Sequence, residues 1–235
     1  MTTIRTMTFL LLGVFATSIF ARTMSKVEYV CPIDGKKFEA LTEMSGYQSG
    51  MQLDLKPLGA IGAPGHIAQC PGNNFVLYKP EAEYSKADIE NLKKYILTEN
   101  YQKLSKSNTK YFLAAKTMQY MKEDKLAIAH FFLMATWEVD EEKTKYQRYA
   151  EHALKVFQEY LQDSPEEDEE WVSANILVLE LYRRLGKFDE AMKFYEKLAS
   201  HQKFSQGDFI SHLIHTELEL VKNKDIGAHD IPEQQ

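Results

Sequence analysis

Cysteine is nearly absent from this chain, with only Cys31 and Cys70 among 235 residues. Two thiols exclude a scaffold held by several disulfides and a metal site built from four thiolates. Basic residues are also short, 28 Lys and Arg against 34 Asp and Glu, for a formal net charge of −6. No cluster of cations offsets that acidic excess, which argues against a nucleic-acid partner. No apolar run reaches the ~20 residues that cross a bilayer as a helix, so no stable membrane anchor is expected. Arrangements for nucleophilic catalysis, paired-carboxylate hydrolysis or zinc proteolysis are missing as well. Gly46-Tyr47-Gln48-Ser49-Gly50 misses the nucleophile-elbow spacing by one residue, and Gly59, Gly62 and Gly65 do not form a dinucleotide fingerprint. We therefore expect no enzyme.

What the chain does have is a composition for burial, 44% hydrophobic and 26% charged, enough for one ordinary core and a small accessory module. It begins with Arg5 followed by an uncharged apolar run from Phe9 to Phe20, and Ala21 follows Ile19 as a small-residue boundary. This pattern predicts a cleavable signal peptide over 1–21 and a periplasmic or secreted mature protein. Cys31 lies too far downstream to receive a lipid.

From Val27 to Lys79, short β-like pieces, KVEYV, KKFEAL and NFVLYK, alternate with glycine-rich turns and predict a small β-rich cysteine module over 22–80. After Pro80 the apolar period becomes helical. Ser85 and Asp88 form a capping box, and Ile89, Leu92, Tyr95, Ile96 and Leu104 predict one helix ending before Ser105. Helices follow over Tyr111 to Met121, Leu126 to Trp137, Glu142 to Gln162 and Gln206 to Lys222. The polar tail 225–235 is expected to be disordered. His212, His215 and Glu219 share a face of the last helix, where surface side chains explain them better than metal ligation. The run Ser164-Pro165-Glu166-Glu167-Asp168-Glu169-Glu170 reads as an N-cap with carboxylates at the positive end of a helix dipole.

Between Ala174 and Ser200 two amphipathic stripes flank Gly186: Trp171, Ala174, Val178, Leu181 and Leu185 before it, Phe188, Ala191, Met192, Tyr195 and Leu198 after it. Tyr182, Gly186, Phe188, Ala191 and Tyr195 stand at the spacing of a tetratricopeptide repeat (TPR), which this hairpin resembles. Asn175, Leu179, Leu198 and Lys203 depart from the repeat's usual Trp, Gly, small residue and Pro. The resemblance implies a mainly α fold, a TPR-like stack of helical hairpins over 81–224. Ala129 and Ala191 mark the two crossing positions, 62 residues apart and not a multiple of 34, so the helix between the hairpins is an insert.

In that register Ser173, Ile176, Glu180 and Arg183 face a groove. Ile176 and Glu180 do not match the Lys and Asn of carboxylate-clamping repeats, so the groove is expected to take a hydrophobic or basic segment of a polypeptide partner in the cell envelope. The turns Cys31-Pro32-Ile33-Asp34-Gly35 and Cys70-Pro71-Gly72-Asn73 resemble the paired knuckles of a zinc ribbon whose second cysteines have become Asp34 and Asn73. The whole is similar to an uncharacterised bacterial family that joins such a module to TPR-like helices. In an exported protein the two cysteines are expected to form a disulfide, with no cofactor. The alternatives are free thiols, or a metal-binding or redox module in which Cys31, Asp34, His66 and Cys70 hold zinc.

Overall fold

A computed structural model describes residues 22–80, 83–164, 169–205 and 208–232. The expected signal peptide, residues 165–168 of the acidic run, and the end of the tail lie outside these residues. Alternation along Thr23–Val30 (β1) and Lys37–Ser45 (β2) gives an antiparallel hairpin, with Val30 opposite Lys37 and Tyr29 opposite Phe38. A second antiparallel pair, Tyr47–Met51 (β3) and Pro57–Ala60 (β4), was not expected within the glycine-rich stretch. NFVLYK, by contrast, joins neither sheet. Val76 makes one isolated bridge with Gln69, while Phe75, Val76 and Leu77 are all buried. Consecutive burial leaves no solvent face for period-two alternation, so this apolar run acts as core filler.

The helices follow the apolar period, with one correction. The single helix expected from Ser85 to Leu104 is two: Lys86–Ile96 (α1), with the Ser85–Asp88 capping box formed, and Glu99–Ser107 (α2). Thr98 divides them because its hydroxyl accepts from the Tyr101 amide and caps α2, a local bond that competes with helix continuation. Then come Lys110–Met121 (α3), Lys125–Trp137 (α4), Lys143–Asp163 (α5), Glu169–Arg184 (α6), Phe188–Ala199 (α7), the short Gln202–Ser205 (α8) and Asp208–Lys222 (α9). Gly186 takes a left-handed φ of 71° between α6 and α7, and Lys187 N–H donates to Tyr182 O, which closes the first helix of the hairpin. Ala191 is fully buried where the two helices approach. From α3 to α7 each helix packs on the one before it, with α5 lying between α4 and α6, and α9 covers α6 and α7.

The small two-sheet β module at the N-terminus packs into the same core as the helices. Cys31, Cys70, Phe75 and Val76 share one apolar cluster with Leu92 and Ile96 of α1, Tyr101 of α2, and Leu113 and Ala114 of α3. Leu55, Ile67 and Tyr78 lean on the central cluster of α3 to α6, and Leu53 enters the cluster of α6, α7 and α9. Residues 51–78 thus run along the helical stack from its last helices to its first. Each large side chain buried in this way contributes roughly 1.5–3 kcal/mol, which an isolated two-stranded ribbon could not obtain. At residue 80 the secondary structure changes from strand and turn to helix, and apolar contacts continue across it.

The tail is likewise corrected over its described part. Leu53 N–H donates to His229 O, Ile231 N–H donates to Met51 O, and Gln52 pairs antiparallel with Asp230. The polar composition that suggested disorder is offset by a backbone partner supplied by the end of β3. No helix among the described residues is long and apolar enough to cross a membrane.

Candidate functional site

Helical spacing puts Glu180 and Arg183 on one face of α6, three residues apart, and that face turns inward. Both are 0% exposed, which corrects their expected place on an open groove. Arg183 Nε donates to Glu180 Oε2 and to Glu217 Oε2 of α9, each at 2.9 Å. Its Nη1 donates to the carbonyls of Asp225 and Gly227, both at 2.8 Å. A guanidinium holds five donors in a fixed plane, so one side chain joins α6, α9 and the tail. One cation between two buried carboxyls leaves room for about one negative charge. Burial, then the neighbouring Glu217, push Glu180 up to about 8, and burial raises Glu217 as well. The pair therefore carries a proton at neutral pH. Arg184 lies 3.8 Å from Glu180 Oε1 and stacks over the Tyr146 ring.

A second buried acid, Asp54, ties the turn between β3 and β4 to the helices. Trp137 Nε1 donates to its Oδ2 at 2.9 Å and the Lys56 amide donates to its Oδ1 at 3.1 Å. Burial, then the charge of Glu180, push Asp54 up to about 6. Leu55, next in the chain, adopts a left-handed φ of 65°, a conformation that costs roughly 1–2 kcal/mol for a side chain of this size. That strained turn aims Asp54 at Trp137 and Leu55 along α6.

Beside Leu55 opens an apolar trough of ≈ 610 Å³. Val172, Ile176 and Leu177 of α6 form its floor, Phe209, Ile210 and Leu213 of α9 one wall, and Met51, Leu55 and Ile231 the other. Ser173 lines it too, with Glu169 and Lys203 at its polar margin. Of the four expected groove residues, Ser173 and Ile176 thus meet at this trough, whereas Glu180 and Arg183 lie one turn and two turns further along α6, beneath α9 and the tail. Glu169 and Ser173 also border a neighbouring depression of ≈ 530 Å³ with Asp124, Leu126, Ala127, His130 and Glu170.

Cys31 and Cys70 are bridged, with Cα atoms 5.6 Å apart, inside the range a relaxed disulfide spans. The two turns that present them match bond for bond. Cys31 N–H donates to Lys36 O and Gly35 N–H returns to Cys31 O; Cys70 N–H donates to Phe75 O and Asn74 N–H returns to Cys70 O. Gly35 and Asn74, the fifth residue of each turn, both have positive φ, at 71° and 61°. The fourth residue caps each turn in the same way, Asp34 accepting from the Lys36 amide and Asn73 from the Phe75 amide. The alternative metal set is not assembled. Its sulfurs are consumed in the bridge, His66 Nδ1 bonds Arg22 at 2.8 Å, and Asp34 faces Lys36. On α9, His215 bonds the Tyr195 hydroxyl, and no three acids, histidines or cysteines among the described residues are grouped to hold a metal ion.

Several site residues escaped the sequence reading: Glu217, Asp54, Phe209, and the wall residues Met51, Leu55 and Ile231. Glu217 carried a signal, because it sits in the apolar stripe of Leu213, Ile214 and Val221, where an acid has no place unless it is paired. The wall residues carried none, since they come from separated segments.

The chain belongs to the family described as uncharacterized protein conserved in bacteria (DUF2225), whose profile matches residues 76–221. That span holds α1 to α8 and all but the last residue of α9, and leaves both cysteine turns and one trough wall outside it. Comparison with curated proteins and with solved structures returns no match.

Proposed function

We propose that this protein is an exported, non-enzymatic scaffold or adaptor whose trough between α6 and α9 holds an apolar segment of a polypeptide partner in the cell envelope. The observation that carries the reading is the trough itself: large enough for several side chains, walled almost wholly by apolar groups, and lined by Ser173 and Ile176 of α6. Stacked helical hairpins present such surfaces on a rigid backbone. Export draws on the signal-like start and on the Cys31–Cys70 bridge, which suits an oxidising compartment. A photo-crosslinking amino acid at position 173 tests the reading, with the same group at the exposed Leu97 as control. The expected result is a discrete set of envelope polypeptides captured from position 173 alone; identical capture from both positions would remove the trough from the proposal.

A second reading draws on the two matched cysteine turns. They resemble degenerate zinc knuckles, and reduction of the bridge would free two thiolates on facing turns for redox chemistry or metal binding. Thiol titration and metal analysis of protein taken directly from the periplasm distinguish the two. A blocked thiol pair without metal leaves the bridge a structural role.

A further inference from the structure

Resting on the trough as a polypeptide site, we propose that its occupant carries basic side chains on one flank of the apolar segment, received by Glu169 and Glu170 at the first turn of α6. The trough does not end at Ser173. Glu169 and Ser173 are walls of both the apolar trough and the depression next to it, so a segment leaving the first passes into the second. The second depression changes character: among the described residues its border carries three carboxylates, Asp124, Glu169 and Glu170, and no Lys or Arg. Its one titratable nitrogen base, His130, has a pKa lowered by burial and adds no positive charge near neutral pH.

The carboxylates differ in what already occupies them. Asp124 caps α4 by accepting from the Ala127 amide, and its neighbour Lys125 is engaged with Asp163 of α5. Glu169 and Glu170 are exposed and make no ion pair among the described residues. In sequence they end a run of five consecutive acids, so the local potential is negative on composition alone. Lys203 borders the trough but not the acidic depression, which places the change of sign along the path of the occupant. An apolar segment would find its floor in Val172 and Ile176, and a Lys or Arg following it would meet unpaired carboxylates. An acidic flank would meet like charge.

The test uses the full mature chain and three fluorescent synthetic peptides that share one Leu/Phe/Ala stretch and end in Lys-Lys, Ser-Ser or Glu-Glu. Fluorescence anisotropy should rank affinity in that order, with Lys-Lys about two- to fivefold tighter than Ser-Ser per ion pair at low salt and the advantage shrinking as salt is raised. Glu169→Lys with Glu170→Lys, both at exposed positions, removes two carboxylates from the positive end of the α6 dipole but no core contact, so the chain should still fold, as circular dichroism would show, and the order should reverse. Equal binding of all three peptides would overturn the basic-flank inference while leaving the trough reading intact. Binding of none would overturn both. A fluorescent fatty acid that binds the trough and is not displaced by any peptide would assign the site to an acyl chain and also overturn both.

Discussion

Arg183 Nε lies 2.9 Å from Glu217 Oε2, although the two residues are 34 positions apart and neither touches solvent. With Glu180 on the other side of the guanidinium, this contact fastens the last helix and the tail to the hairpin that carries the trough floor. The same side chains would be unremarkable on a surface. In the interior, where charge is expensive, they act as a three-way joint.

Removing the cation should be the most damaging single change in this region. Arg183→Met leaves the two buried carboxyls with only the more distant Arg184, 3.8 Å from Glu180, and should lower unfolding free energy by about 3–5 kcal/mol in urea titrations. Glu180→Gln should cost less than about 1 kcal/mol near pH 7, because the carboxyl it replaces already takes a proton there and the amide keeps an oxygen for Arg183. Equal losses from both variants would remove the assignment of the proton to Glu180.

Stability should fall as pH rises through the neutral range. An unfolded Glu or Asp loses its proton near 4.5 or 3.8, whereas folded Glu180 keeps it to about 8 and Asp54 to about 6. Between those limits the folded chain holds more protons than the unfolded one, so stability declines with pH by on the order of 1 kcal/mol per unit for each extra proton. Urea midpoints at pH 5, 6.5 and 8 measure the slope. Glu180→Gln should flatten it above pH 6; an unchanged slope in that variant would place the linkage elsewhere.

Breaking the bridge should loosen the first helices as well as the strands. Cys31 and Cys70 are 39 residues apart, and a loop of that size contributes on the order of 4 kcal/mol by the chain-entropy account. Because both sulfurs sit in the cluster with Leu92, Tyr101 and Leu113, reduced protein should lose hydrogen-exchange protection in α1 to α3 before α6 and α7. Uniform loss across the chain would mean that the stack unfolds as one unit.

Trp137→Phe keeps most of the ring and deletes the donor to Asp54. The carboxyl is then left buried with only the Lys56 amide, at a cost of about 1–3 kcal/mol. Thermal unfolding of this variant beside Asp54→Asn, which retains an acceptor, separates the hydrogen bond from the packing.

Local features of the fold were legible in the residues. The Ser85–Asp88 capping box, the stripes of α3 to α7 and the turn at Gly186 all depend on groups within a few positions of one another, and they stand where the pattern put them. The break at Thr98 was present as an N-capping residue inside an apolar period, but a periodic pattern does not show which of two local preferences wins. Glu217 could have been suspected from its apolar neighbours. Of the expected groove residues, Ser173 and Ile176 both line the trough.

By itself, then, the sequence determined a helical chain with one clean hairpin and two like cysteine turns, because caps, periodicity and positive-φ residues act over a single turn of backbone. Tertiary structure alone decided which helical faces are covered. α9 and residues 225–227 close over Glu180 and Arg183, Met51 and Ile231 meet across a bridge to wall the trough, and residues 53–78 lie along the stack. Periodicity states that a face exists; its cover comes from distant segments whose burial and hydrogen bonds are satisfied only after the chain has folded.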